Sequence, residues 1–183
     1  MSLTQIKLKH RAADRANDGI TFRRPTAEDG AAIWRLIAEC DPLDENSMYC
    51  NLLQCDHFAD TCVVAERDGE IVGWVSAYLL PDAPDSVFVW QVAVSPSAQG
   101  AGLGKRLLGA LLARDACAGV RHLKTTITSD NDASWALFSS LARRSGAKME
   151  REPYYRRDAH FDGEHATEHM VTLRFEERAR SAA

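Results

Sequence analysis

One stretch dominates what this chain can fold into: Phe88 to Leu108, FVWQVAVSPSAQGAGLGKRLL. Phe88-Val89-Trp90-Gln91-Val92-Ala93-Val94 is β-branched and aromatic with one polar interruption, the pattern of a buried strand. Ser95-Pro96 stops it. Gln99-Gly100-Ala101-Gly102-Leu103-Gly104 follows, and Leu103, Leu107 and Leu111, flanked by Leu108 and Leu112, then repeat at helical spacing. A strand that runs through glycines into a helix is an anion site by construction. The first amides of the helix lack partners, and the helix dipole adds about half a positive charge. Two common phosphate loops do not fit. A Walker A loop ending at Gly104-Lys105 needs glycine at Gln99 and Ser or Thr at Arg106. A dinucleotide G-x-G-x-x-G from Gly100 needs glycine at Lys105. What remains is Q-x-x-G-x-G, formed by Gln99, Gly102 and Gly104.

The 183 residues, 45% hydrophobic, suffice for one domain with a full core. A net charge of −4 gives no electrostatic support for a nucleic-acid partner. No apolar run reaches the ~18 residues of a membrane span, and the first residues lack the apolar core of a signal peptide. The reading divides the chain into a charged N-terminal tail over 1–19, a domain over 20–175 and a tail over 176–183. The five cysteines (Cys40, Cys50, Cys55, Cys62, Cys117) are odd in number and contain no C-x-x-C pair, so they read as reduced thiols of a cytoplasmic protein rather than a disulfide frame or zinc site.

The remaining elements follow from periodicity and turn signals. Ile20–Arg23 alternates as a first strand. Thr26 with Asp29 resembles a helix start, and Ile33, Leu36, Ile37 and Cys40 give the buried face of the helix. A second helix is expected over Met48 to Phe58, packing through Tyr49, Leu52, Leu53 and Phe58. Thr61–Arg67 and Glu70–Leu80 are strands joined at Asp68-Gly69, a hairpin signal. Pro81 to Ser86 reads as a break before the central strand. His122–Thr128 is a strand, and Ser129-Asp130-Asn131-Asp132 caps a helix ending at Gly146. Ala147–Glu150 is a short strand, Pro153 to Gly163 irregular, and His169–Phe175 the last strand. The order is β-α-α-β-β-β-α-β-α-β-β. Strands outnumber crossover helices, which predicts an α/β domain with a mixed sheet.

The Gln99/Gly102/Gly104 loop on a V-A-V-x-P strand, and Asn131, Ser134 and Leu137-Phe138 in an N-x-x-[AS]-x-x-L-[YF] helix, together resemble the Gcn5-related N-acetyltransferases. The resemblance implies acetyl-CoA as co-substrate and no metal. It places the pyrophosphate on the backbone of Gln99, Gly100, Ala101, Gly102, Leu103, Gly104 and Lys105, and the pantetheine along Val92, Ala93 and Val94. Asn131, Ser134 and Phe138 face the cofactor, and the Val92 N–H meets the thioester oxygen as charge develops on it. Phe138 departs from the family pattern: many members carry a tyrosine there that protonates the leaving thiolate, and a phenyl ring cannot.

The run DPLDENSMYCNLLQCDHFADTCVVAERDGEIVGWVSAYLLP, then FVWQVAV and TSDNDASWALFSSLA, is similar to the L-2,4-diaminobutyrate acetyltransferases of ectoine synthesis over about Ile20 to Phe175. The motif D-x-N-S-x-Y, with Asp44, Asn46, Ser47 and Tyr49, carries the resemblance. It implies a small diamino acid substrate acetylated on its 4-amino group, and a homodimer. Its ammonium groups need carboxylates and an aromatic face, for which Asp44, Trp90 and Glu168 are candidates together with Asn46 and Tyr49. Glu168, His165 and His169 are the candidate bases, and transfer is expected to be direct, with Cys62 and Cys117 structural. Other readings stay open: another small amine, such as a polyamine, a lysine-like compound or an aminoglycoside, or a non-catalytic CoA sensor. His165 to His169 also spells H-x-x-E-H, a zinc motif only when helical; a strand-like VTLRF follows it, so no metal is expected.

Overall fold

The computed structural model describes residues 18–41 and 43–176. A seven-stranded sheet has the order β1-β2-β3-β4-β5-β7-β6. Its strands are β1 (Ile20–Arg23), β2 (Val63–Arg67), β3 (Glu70–Leu80), β4 (Ala83–Val94), β5 (His122–Thr128), β6 (Lys148–Tyr155) and β7 (Glu168–Arg174). The helices are α1 (Gly30–Ala38), α2 (Met48–His57), α3 (Leu103–Leu112), α4 (Asp132–Ser145) and the short α5 (Arg157–His160). Among the described residues β4 and β5 form the one parallel pair; the other neighbours are antiparallel. The mixed α/β sheet expected from the sequence is therefore present, with α5 as an addition between the last two strands.

Both faces of the sheet are covered at its centre. On one, Leu103, Leu107 and Leu111 of α3 and Phe138 and Leu141 of α4 pack on Val63, Val75, Val89 and Leu123. On the other, Ile33, Leu36 and Ile37 of α1 pack on Val64, Trp74 and Ala93. Burying a side chain such as Leu107 contributes about 1.5–3 kcal/mol. Asp68 (φ +53°) and Gly69 (φ +83°) make the two-residue turn between β2 and β3, both left-handed as a type I′ turn requires. Asp29 accepts a hydrogen bond from the Thr26 N–H at 2.7 Å, so the helix-start reading at Thr26 holds, although the first turn is a 3₁₀ turn before α1.

Three sequence expectations are corrected. α2 turns Asn51, Gln54 and Cys55 inward and leaves Tyr49 (68% exposed) and Phe58 (38%) outside, with Leu52 and Leu53 only half-buried. The inward amides bond each other, Asn51 Nδ2 donating to Gln54 Oε1 at 3.2 Å, which offsets part of their desolvation. The break before the central strand shrinks to Pro81-Asp82, because β3 is long enough to pair β4 back to Ala83. The strand expected over 147–150 continues through Pro153 to Tyr155. β6 is an edge strand, where a missing N–H costs no ladder bond if it faces outward. Ahead of β1, Asp18 accepts from the Ile20 N–H at 3.2 Å and pairs with Arg106 of α3. The rest of the proposed N-terminal tail, and residues 177–183 of the C-terminal one, lie outside the described residues.

Candidate active site

The site exists because β4 and β5 part company. They pair only through Ser86–His122, Val87–Leu123 and Phe88–Lys124. On its other side β4 continues against β3, but Ser76 faces Gln91 and Ala77 faces Val89, so Trp90 is an inserted residue. A bulge of this kind bends a strand and raises its twist. Beyond Phe88 the outer edge of β4 is therefore open. Its polarity can be read from the hydrogen bonds. Ser95 N–H donates to Val72 O of β3 at 3.0 Å, whereas Val94 O accepts from Gln99 Nε2 at 3.2 Å and from Cys40 Sγ at 3.3 Å. Successive residues of a strand present their polar groups to opposite sides. Val94 and Val92 thus turn their N–H and C=O away from β3, into the opening.

At the end of this edge lies the glycine loop. Gly100 (φ +80°) and Gly102 (φ +72°) are both left-handed, and an added Cβ at either would meet nothing within 4 Å. Open space around a backbone in that conformation is what the approach of a phosphate requires. Gly102 is the N-cap of α3, and the N–H groups of Leu103 and Gly104 fall in the first turn, where no intrahelical acceptor exists. The expectation that the donors extend to Lys105 is corrected: its N–H already bonds Gly102 O at 3.1 Å. A cavity of about 440 Å³ joins this loop to Val92, Val94, Asn131, Ser134 and Leu137.

A second cavity, of about 280 Å³, continues on the far side of Val92. Its walls are β4 (Val89 to Val92), β5 (Thr125 to Thr128), Phe138, and the polar groups of Asp44, Asn46, His165 and Glu168. Glu168 begins β7, opposite Thr128, so the insertion of β7 between β5 and β6 is what delivers it. Its side chain is 17% exposed, and its Oε2 is buried without a hydrogen-bond partner. Burial pushes its carboxyl above the ordinary range, opposed by His165. The His165 imidazole stands with Nε2 3.7 Å from Asp44 Oδ2 and 3.9 Å from Glu168 Oε1. Its Nδ1 lies 2.8 Å from the Ala166 carbonyl, which can only accept, so Nδ1 carries a proton. The cavity therefore presents two carboxylates bridged by an imidazole, an environment for a cation.

Not every sequence-derived residue arrives where it was expected. Tyr49 sits on the outer face of α2 and lines neither cavity. Asn46 lines the second cavity, but its Nδ2 donates to Gln91 Oε1 at 3.1 Å, so its amide holds its own loop. Phe138, expected at the cofactor, is 3% exposed and walls the second cavity instead. The Ala93 side chain points into the α1 cluster, and Ala101 and Lys105 are exposed, so these three offer at most backbone atoms. Trp90, Asp44 and Glu168 do come together, with Trp90 46% exposed on the bulge. Asn131 is the N-cap of α4, its Oδ1 accepting from Ser134 N–H at 3.0 Å. In the H-x-x-E-H run, His165 is on a loop and His169 on β7, its ring edge-on to Trp135. The helical placement that a zinc site needs is thus not the one adopted.

Sequence reasoning missed Gln91. This 9%-exposed residue donates from Nε2 to the Asp44 carbonyl at 2.9 Å while accepting from Asn46, and so ties the 44–46 loop to the sheet. The signal was available: it is the polar interruption in an otherwise apolar strand. A larger cavity, about 660 Å³, lies elsewhere, on the sheet face between Tyr78, Phe88, Lys124 and Tyr154. Size notwithstanding, the glycine loop does not line it, so we place the chemistry in the two joined smaller cavities.

The family model "Acetyltransferase (GNAT) family" matches residues 31–142, the stretch that holds the splayed parallel pair, the bulged β4 and the glycine-capped helix. The chain belongs to that family. It is 50% identical over 152 residues to the L-2,4-diaminobutyric acid acetyltransferase of Vibrio cholerae, covering 83% of this chain and 88% of that protein. It is 47% identical to the enzyme of the same name from Halomonas elongata, over 83% and 79%. The solved diaminobutyrate acetyltransferase EctA of Paenibacillus lautus, in complex with its substrate L-2,4-diaminobutyric acid and coenzyme A, superposes with a TM-score of 0.82 at 38% identity. The match covers 87% of this chain and 98% of that one. Within the family, the chain is therefore one of the L-2,4-diaminobutyric acid acetyltransferases.

Proposed function

We propose that the chain transfers acetyl from acetyl-CoA to the 4-amino group of L-2,4-diaminobutyrate, the first acetylation step of ectoine synthesis, by direct attack of the amine on the thioester. The observation that carries this reading is the pair of joined cavities: one opens on unpaired main-chain donors, the other on carboxylates. In it the pyrophosphate is held by the N–H groups of the Gly100–Gly104 loop, each bond to a charged acceptor contributing about 1.5–3 kcal/mol. The pantetheine lies along Val92 and Val94, and the Val92 N–H faces the thioester oxygen. Asp44 and Glu168 hold the ammonium groups, with Trp90 against the carbon chain.

The attacking amine must be neutral. An alkyl ammonium titrates near 10.4, so freeing it at physiological pH costs about 4 kcal/mol. Glu168, half-buried and with one oxygen unpartnered, is the acceptor we assign for that proton. A cysteine route is disfavoured, because burial pushes the Cys62 thiol up to about 12 and little thiolate exists at neutral pH. The test is thiol release across a panel of diaminobutyrate, polyamines, lysine and aminoglycosides, with the product located by NMR. Diaminobutyrate acetylated at N4 with the highest kcat/KM supports the reading; a polyamine that outcompetes it, or CoA binding without turnover of any amine, overturns it.

Gln91 is a positioning residue in this reading. Gln91→Leu removes two neutral hydrogen bonds of about 0.5–1.5 kcal/mol each. We expect KM for diaminobutyrate to rise about tenfold with the Kd of CoA unchanged; an equal loss in both would mean general damage to β4.

We further propose a cytoplasmic homodimer. Among the described residues no helix is long and apolar enough to cross a membrane. The face bearing Tyr154 (45% exposed) and Tyr155 (42%), with Glu152 and Arg151 beside them, offers apolar area and both charges to a second copy. Light scattering distinguishes the dimer from a single 20.3 kDa chain, which would contradict it.

A further inference from the structure

Acetyl transfer moves a proton as well as an acyl group: the nitrogen must lose one and the sulfur must gain one. Phe138 supplies neither service. The two cavities share only four lining residues, Leu43, Val92, Asn131 and Ser134, and with CoA in one and the amine in the other the reacting carbon falls at the seam those residues form. Leu43 and Val92 have no side-chain proton to exchange. The Asn131 oxygen is committed to the cap of α4. Ser134 remains, and a hydroxyl both donates and accepts at a single atom. It is the third residue of α4 and stands four before Phe138, hence on the same face one turn earlier.

We propose that Ser134 is a catalytic residue that passes the proton across this seam. The inference rests on the acetyl-transfer reading above. On attack, nitrogen bonds to the carbonyl carbon and becomes positive, while the carbonyl π pair moves onto oxygen. When the C=O bond re-forms, the C–S bond breaks and its electron pair leaves on sulfur. The Ser134 O–H proton goes to that sulfur, and an N–H proton of the charged nitrogen replaces it on Oγ. An aliphatic hydroxyl is a weaker acid than a thiol, so it cannot give up its proton unreplaced, and a residue that faces only one cavity would not serve. The products are the neutral amide and free CoA thiol, and the serine is restored.

The test is single-turnover thiol release with both substrates saturating, for wild type, Ser134→Ala and Ser134→Thr, with CoA affinity measured alongside by titration. Alanine is a good helix former at this position, so folding is retained. Ser134→Ala is expected to slow transfer about a hundredfold, within the range for a positioned proton donor. Its Kd for CoA should stay within twofold of wild type, and Ser134→Thr should recover at least a third of the wild-type rate. A loss below tenfold in the alanine variant, a Kd that rises by the same factor as the rate falls, or a threonine variant no faster than alanine overturns the role of Ser134 and leaves the acetyl-transfer reading standing. A wild-type enzyme that acetylates no amine overturns both.

Discussion

A Gly102→Val variant is expected to bind CoA about a hundredfold more weakly while its KM for diaminobutyrate stays nearly constant. Gly102 caps α3 at φ +72°. A left-handed conformation costs a residue with a Cβ about 1–2 kcal/mol, and a β-branched one more readily escapes it. If the loop escapes, its amides turn away and at least one charge-assisted bond of about 1.5–3 kcal/mol is lost. Together these reach ~3 kcal/mol, and each 1.4 kcal/mol is tenfold in affinity. The strain also lowers stability, by roughly 2–4 °C in Tm per kcal/mol for a chain of this size. Calorimetric titration with CoA checks the claim; a Kd within threefold of wild type means that the pyrophosphate does not rest on this loop.

The second large effect belongs to Glu168. Glu168→Gln keeps the shape of the side chain and removes its capacity to take a proton, so kcat is expected to fall by 10² or more, the lower end of what a positioned base contributes. Burial raises the Glu168 carboxyl above its ordinary range. The catalytic form is the carboxylate, so the wild-type rate should climb as pH rises through that elevated value, and this limb should be missing from the variant. The stability effect has the opposite sense. A carboxyl whose folded value lies above its unfolded value stabilises the fold below the unfolded one and loses that contribution as pH rises through the folded one. At neutral pH the wild type carries a half-buried charge that the variant lacks, so Glu168→Gln should melt no lower than wild type. A variant that keeps more than a third of kcat, or one that melts several degrees lower at neutral pH, contradicts the assignment.

The centre of the fold was legible because its signals are local. The Asp68-Gly69 turn, the glycines at 100, 102 and 104, and the Leu103/Leu107/Leu111 stripe each state their conformation within a few residues, and β3, β5 and α3 fall where periodicity places them. What was not legible is set by distant pairing. Nothing near Glu168 says that β7 inserts between β5 and β6, yet that insertion brings Glu168 and His165 to Asp44. α2 misleads for a similar reason. Tyr49, Leu52 and Leu53 look like its buried stripe, but Leu52 packs at Gly30, and the inward face is filled by an amide pair whose mutual bond offsets its polarity. The resemblance to the acetyltransferases supplied what locality did not, including the nature of both substrates. It did not single out Gln91, whose role becomes visible only when the 44–46 loop is laid beside β4.

Where the two substrates lie is tested most directly by a crystal structure with CoA and diaminobutyrate bound together. It should find the diphosphate within hydrogen-bond distance of the main-chain N–H groups between Gly100 and Gly104, the pantetheine in the opening beside Val92 and Val94, and an ammonium group between Asp44 and Glu168. CoA seated in the larger cavity between Tyr78 and Tyr154, with the β4–β5 opening filled by solvent, would contradict it.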